Sequence, residues 1–114
     1  MSAIRRFAPE NFIIGASLGG DAELANARDA DYVGIGPLFA TGSKGDAGKA
    51  IGIEGFRKLA ELSGRPAVAV GGLNAERAVE AMAAGAAGIG VVNAIFKASD
   101  PESAARAIAG AIGM

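Results

Sequence analysis

Apolar residues gather into four short runs rich in valine and isoleucine, at residues 12–17, 32–39, 67–73 and 88–95, each bounded by glycine-containing turns. Short, strongly apolar runs between turn residues are the pattern of buried parallel strands. After each run the spacing becomes helical, over residues 21–29, 53–63, 74–84 and 101–112. Each helical segment is long enough for the right-handed crossover that joins two parallel strands. The predicted order is βαβαβαβα in a single domain, 1–114, with an N-terminal segment at 1–11 and the four βα units at 12–114.

Two helices carry boundary signals. In the third, Ala75, Ala78, Val79 and Met82 form an apolar stripe, Glu76, Arg77 and Glu80 point outward, and Asn74 stands at the N-cap. The last opens on Asp100-Pro101-Glu102: a capping acceptor, a proline where no amide bond is lost, and a carboxylate near the positive end of the helix dipole. A weak repeat, Ala30 to Gly36 against Ala86 to Val92, suggests repeated βα units. Four parallel strands with helices on one face leave the other face and two edges open, and in a (β/α)8 TIM barrel that other face is the packed interior. The fold class expected is α/β, half of such a barrel, completed by another chain and therefore not monomeric. An open doubly wound sheet is the rival; the loop chemistry below favours the barrel.

Composition narrows the chemistry. With 51% hydrophobic and 20% charged residues, the balance is that of a globular protein. A net charge of -1 and no basic block provide no field for nucleic acid or an anionic membrane, so neither is an expected partner. The chain has no cysteine and no histidine, which excludes disulfides, thiolate zinc sites and a serine triad within it. The N-terminus lacks a signal-peptide core and there is no apolar run of about 18 residues. A cytoplasmic protein is expected.

Candidate chemistry collects at the C-terminal ends of the predicted strands. Gly71-Gly72 ends the third, where backbone without Cβ atoms lets amides approach an anion. Val92-Asn93-Ala94-Ile95 ends the fourth, where a short helical turn presents its first amides to the same anion. The last two strand-to-helix loops of a (β/α)8 barrel commonly build a phosphate site, although ordinary turn glycines give the same letters. Thr41-Gly42-Ser43-Lys44, after the second strand, offers hydroxyls, free amides and an ammonium to a phosphate or pyrophosphate. A solvated surface lysine is the alternative for Lys44, and a strand-ending cap the alternative for Ser17 at the end of the first strand. Asp46 is read as a loop residue, and no metal ligand is assigned in the chain.

Gly15-Ala16-Ser17, then Ala30 to Pro37 with Thr41, Ser43, Lys44 and Asp46, then Val70 to Leu73, then Gly88 with Val91 to Ile95, follow one another in an order more specific than any single motif. In that order the segment 13–112 resembles the C-terminal half of the thiamine phosphate synthase family, including its thiazole tautomerase relatives. The resemblance implies capture of a pyrimidine carbocation by the nitrogen of a thiazole phosphate, with release of pyrophosphate assisted by Mg2+. It implies that Ser17 and Lys44 hold the pyrophosphate, and that Thr41, Ser43, Gly71, Gly72, Val92 and Asn93 surround the thiazole phosphate. Relatives usually have a small hydroxyl residue where Asn93 stands. They also carry a histidine two positions after the serine, where this chain has Gly19; the tautomerase reaction thus loses its expected base. In relatives the first four βα units supply the pyrimidine contacts, an arginine-lysine pair and the carboxylates for Mg2+. The partners implied are pyrimidine pyrophosphate, thiazole phosphate, and either a second copy in a homodimer or a separate N-terminal half-barrel. The alternative function is a non-catalytic phosphate-binding module or a truncated half-barrel relative.

Overall fold

The structure is a computed structural model and describes residues 2–40 and 50–114. Four strands, β1 Gly15–Leu18, β2 Tyr32–Ile35, β3 Ala67–Val70 and β4 Gly88–Gly90, lie side by side in chain order, each pair parallel. A doubly wound sheet reverses its strand order at a switch point; this one never does. The fold is that of half a (β/α)8 barrel. The helices are α1 Ser2–Phe7, α2 Gly52–Ser63, α3 Ala75–Ala83, α4 Asn93–Phe96 and α5 Pro101–Ala111, and a 3-10 segment, Asp21–Asp29, connects β1 to β2.

Alternation along the strands separates two faces. Ala16, Val33 and Ala67 form one buried row, and Leu18, Ile35 and Ala69 the next. Phe56 and Leu59 of α2 and Ala81 of α3 belong to the same cluster. The opposite face carries the row Ser17, Gly34, Val68, Gly88. A Cβ added to Gly34 or Gly88 would meet no atom within 4 Å. In a closed barrel this face looks inward.

Three strands start where the apolar pattern places them, and β1 starts at Gly15 rather than at residue 12. The last three end sooner than expected, each for a backbone reason. Pro37 has no N–H to continue β2. Gly71 and Gly72 leave β3 with φ of 102° and 67°, a region open to glycine and strained for other residues. Residues assigned to the fourth strand, from Asn93 onward, form α4 instead. The first crossover is 3-10 rather than α; its one buried residue, Ala27, supplies little of the packing that sustains a regular helix. The N-terminal segment, left unassigned by its pattern, contains α1.

Caps follow the sequence. Asn74 accepts the Arg77 N–H at 2.9 Å, and Asp100 accepts the N–H and hydroxyl of Ser103 at 3.2 and 2.8 Å. The Ser103 hydroxyl, and then its amide, hold the Asp100 carboxyl below its ordinary range. The stripe on α3 differs from expectation: Ala78 and Ala81 are fully buried, whereas Val79 is 47% exposed.

Charged side chains fasten the N-terminal ends of the strands. Arg5 donates to the carbonyls of Asp29 (2.7 Å) and Phe12 (3.1 Å) and pairs with Asp31 at 3.1 Å. Arg65 donates to the carbonyls of Ala27 (3.1 Å) and Arg28. Asp31 also accepts the Ile14 N–H at 2.8 Å. That amide, followed by the Arg5 guanidinium, holds the Asp31 carboxyl below the usual aspartate range.

Candidate functional site

At the other end of the sheet the strands leave through glycine and small residues, and there a cavity of about 610 Å³ opens. Ala40, Val70 to Asn74, and Gly90 to Ala94 line it. It therefore lies at the C-terminal ends of β3 and β4, where barrel enzymes place their sites.

The exits of β2 and β3 run against each other. Leu38 and Phe39 donate their N–H groups to the carbonyls of Val70 (3.0 Å) and Gly71 (3.1 Å). A Cβ on Gly71 would lie 2.5 Å from Pro37 Cα, and one on Gly72 would lie 2.8 Å from the Phe39 carbonyl oxygen. Only glycine permits this approach, which is the physical reason for the Gly-Gly pair. Ile51 and Gly52 return to the same place, donating to the carbonyls of Pro37 (2.9 Å) and Leu38 (2.8 Å).

Across the cavity, Val92 is 66% exposed and precedes α4. Ile95 and Phe96 are the first residues whose amides return to a carbonyl here, that of Val92, at 3.2 and 2.9 Å. The amides of Asn93 and Ala94 open the turn and have no acceptor within it. Among the described residues that line it, none is ionisable. The described lining is suited to hold an anion by amide and Asn donors.

Of the residues singled out from sequence, Gly71, Gly72, Val92 and Asn93 come together as lining. Ser17 does not line the cavity; it stands on the open face of β1, two strands from β3. Close by, the Gly19 amide donates to the Glu23 carboxylate at 2.7 Å, so that amide already has an acceptor. Thr41, Ser43, Lys44 and Asp46 lie outside the described residues, although Ala40 lines the cavity. Among the described residues no three His, Cys, Asp or Glu side chains converge as metal ligands would, and no helix is long and apolar enough to cross a membrane.

One residue at this end escaped the sequence reading. Arg77, expected to point outward, turns back along α3: Nη1 donates to the Gly72 carbonyl at 2.9 Å, and the guanidinium carbon stands 4.4 Å from the centre of the Phe39 ring. Its place one turn from a glycine pair was the available signal.

The family model described as thiamine monophosphate synthase matches residues 1–95. The chain belongs to that family. It is 50% identical over 94 residues to the thiamine-phosphate synthase of Archaeoglobus fulgidus, covering 82% of this chain and 45% of that protein. With the enzyme of the same name from Azorhizobium caulinodans it shares 50% identity over 109 residues, covering 94% and 51%. The solved thiamine phosphate pyrophosphorylase of Pyrococcus furiosus superposes with a TM-score of 0.81 at 36% identity, over 96% of this chain and 52% of that one. The chain spans about half the length of the thiamine monophosphate synthase relatives it matches.

Proposed function

We propose that this chain supplies the phosphate-holding half of a thiamine phosphate synthase. In that reaction the bond from the pyrimidine methylene carbon to the pyrophosphate oxygen breaks. The thiazole nitrogen then bonds to that carbon, and pyrophosphate leaves. The reading rests on the cavity between Gly71-Gly72 and Val92-Asn93, where backbone amides and the Asn93 amide group line the ends of β3 and β4, in a chain of this family. Such chemistry needs charge stabilisation rather than a nucleophile or a base. Gly71, Gly72, Val92 and Asn93 hold the thiazole phosphate in this reading, with Thr41 and Ser43 beside them. Lys44 steadies the departing pyrophosphate, with Ser17 in a supporting place.

The described carboxylates do not fit Mg2+. The ion's ligands and the pyrimidine contacts belong to the complementary half of the barrel, whether in the same polypeptide, a second copy or a separate chain. Charged phosphorylated intermediates of this kind stay in the compartment that makes them, and on that chemistry we place the protein in the cytoplasm. A non-catalytic phosphate-binding module is the second reading, which needs only the cavity and not the complementary half of the barrel.

Calorimetric titration with inorganic pyrophosphate tests the anion site. Lys44→Ala is expected to weaken binding by about tenfold or more, the worth of one charge-assisted contact; unchanged affinity removes Lys44 from the site. Product formed from both substrates distinguishes the enzyme from the binding module. The open sheet edges also predict self-association of the chain, and a clean monomer mass by light scattering at micromolar concentration contradicts it.

A further inference from the structure

We propose that Arg77 is a positioning residue that locks the exit of β2 to the exit of β3 and so fixes the Gly71-Gly72 wall of the cavity. The consequence for ligand rests on the phosphate reading above; the brace itself rests on geometry.

Arg77 sits in the first turn of α3, with its backbone N–H held by the Asn74 cap at 2.9 Å. Its side chain, free of any salt bridge among the described residues, spends its charge on two uncharged groups. One is the Gly72 carbonyl, at 2.9 Å, which belongs to the β3 exit. The other is the Phe39 ring, 4.4 Å from the guanidinium carbon, which belongs to the β2 exit. A flat guanidinium can stack on a ring and donate in its own plane at once, which an ammonium cannot do with fixed geometry.

The contact matters because Gly71 and Gly72 have no side chains to hold them. Their φ values of 102° and 67° belong to residues with wide conformational freedom. The Phe39 N–H to Gly71 carbonyl bond fixes one peptide of the pair, and Arg77 fixes the next by taking the Gly72 carbonyl. In a trans peptide the N–H points opposite to the C=O, so holding the Gly72 carbonyl also sets the direction of the Leu73 amide at the cavity wall.

Hydrogen exchange resolved by amide, together with titration of inorganic phosphate followed by 31P NMR, tests the inference on the whole chain. The Val33 amide, bonded to the Pro66 carbonyl at 2.9 Å, reports general opening of the sheet. In Arg77→Ala the Phe39 amide is expected to exchange about tenfold faster relative to Val33, the combined effect of one hydrogen bond and one half-buried cation–π contact. General destabilisation moves both amides and leaves their ratio unchanged. Arg77→Lys keeps the charge but not the fork, and is expected to behave as the alanine variant does. Phe39→Leu, a second route should Arg77→Ala not fold, raises the Leu38 to Val33 ratio.

An unchanged ratio in these variants, or full rescue by lysine, overturns the brace. If the ratio responds while no form binds phosphate, the brace stands and the phosphate reading falls. If wild type and Arg77→Ala bind phosphate equally well, the phosphate reading stands and the positioning role falls.

Discussion

The two ends of the sheet solve the same problem, satisfying backbone groups where strands stop, in different proportions of side chain and backbone. At the N-terminal end, Arg5, Arg65 and Asp31 use charged side chains to occupy the carbonyls of Phe12, Ala27, Arg28 and Asp29 and the amide of Ile14. At the C-terminal end, backbone meets backbone through Gly71 and Gly72, and amides are left facing a cavity. The difference separates a closed end from an end that opens on the cavity. One end is closed mainly by charged side chains; the other is joined mainly by backbone, with Arg77 on the Gly72 carbonyl, and opens on a cavity.

The comparison is broken most severely at Gly71. Gly71→Ala places a Cβ 2.5 Å from Pro37 Cα at a φ of 102°, and strain plus clash is expected to cost about 3 kcal/mol or more. Urea denaturation would show it as a collapsed midpoint; a midpoint within error of wild type would mean that the two exits do not touch.

Arg65→Ala removes two hydrogen bonds at the opposite end and is expected to cost about 1–2 kcal/mol, while inorganic phosphate affinity stays unchanged. A loss of affinity beyond that of stability would undo the division between ends.

Asp31→Asn sharpens the contrast with the smallest effect. The Asp31 carboxyl is depressed in the folded chain, so the stability it lends is complete above the ordinary aspartate value. That contribution is lost as pH falls through the lower folded value. Thermal unfolding of the Asn variant should fall less steeply than wild type across that acid window, and parallel curves would show that Asp31 contributes nothing there.

The sequence makes the beginnings of β2, β3 and β4 plain, because Tyr32, Ala67 and Gly88 each follow a turn and open a Val- or Ile-containing run. Endings were less legible, since Leu38 is fully buried although it lies outside any strand. Burial rather than pairing keeps such residues apolar, and an apolar run cannot distinguish the two. The glycine pair and the turn at Asn93 were readable as half of the cavity because they combine conformational freedom with position. Arg77 was not, for helical periodicity assigns a charged residue to the solvent face and is blind to a side chain that folds back over its own N-terminus. Ser17 was placed on the correct strand, at its end and beside the other loops, but sequence adjacency to a strand end does not measure distance across a sheet.

The row Ser17, Gly34, Val68, Gly88 carries one last implication. Barrel axes are ordinarily filled by bulky branched side chains, yet along this row only Val68 has a side chain larger than that of serine. Whatever segment faces it must provide the missing volume, so swapping this arc between relatives should succeed only when the opposing residues are large enough to reach across.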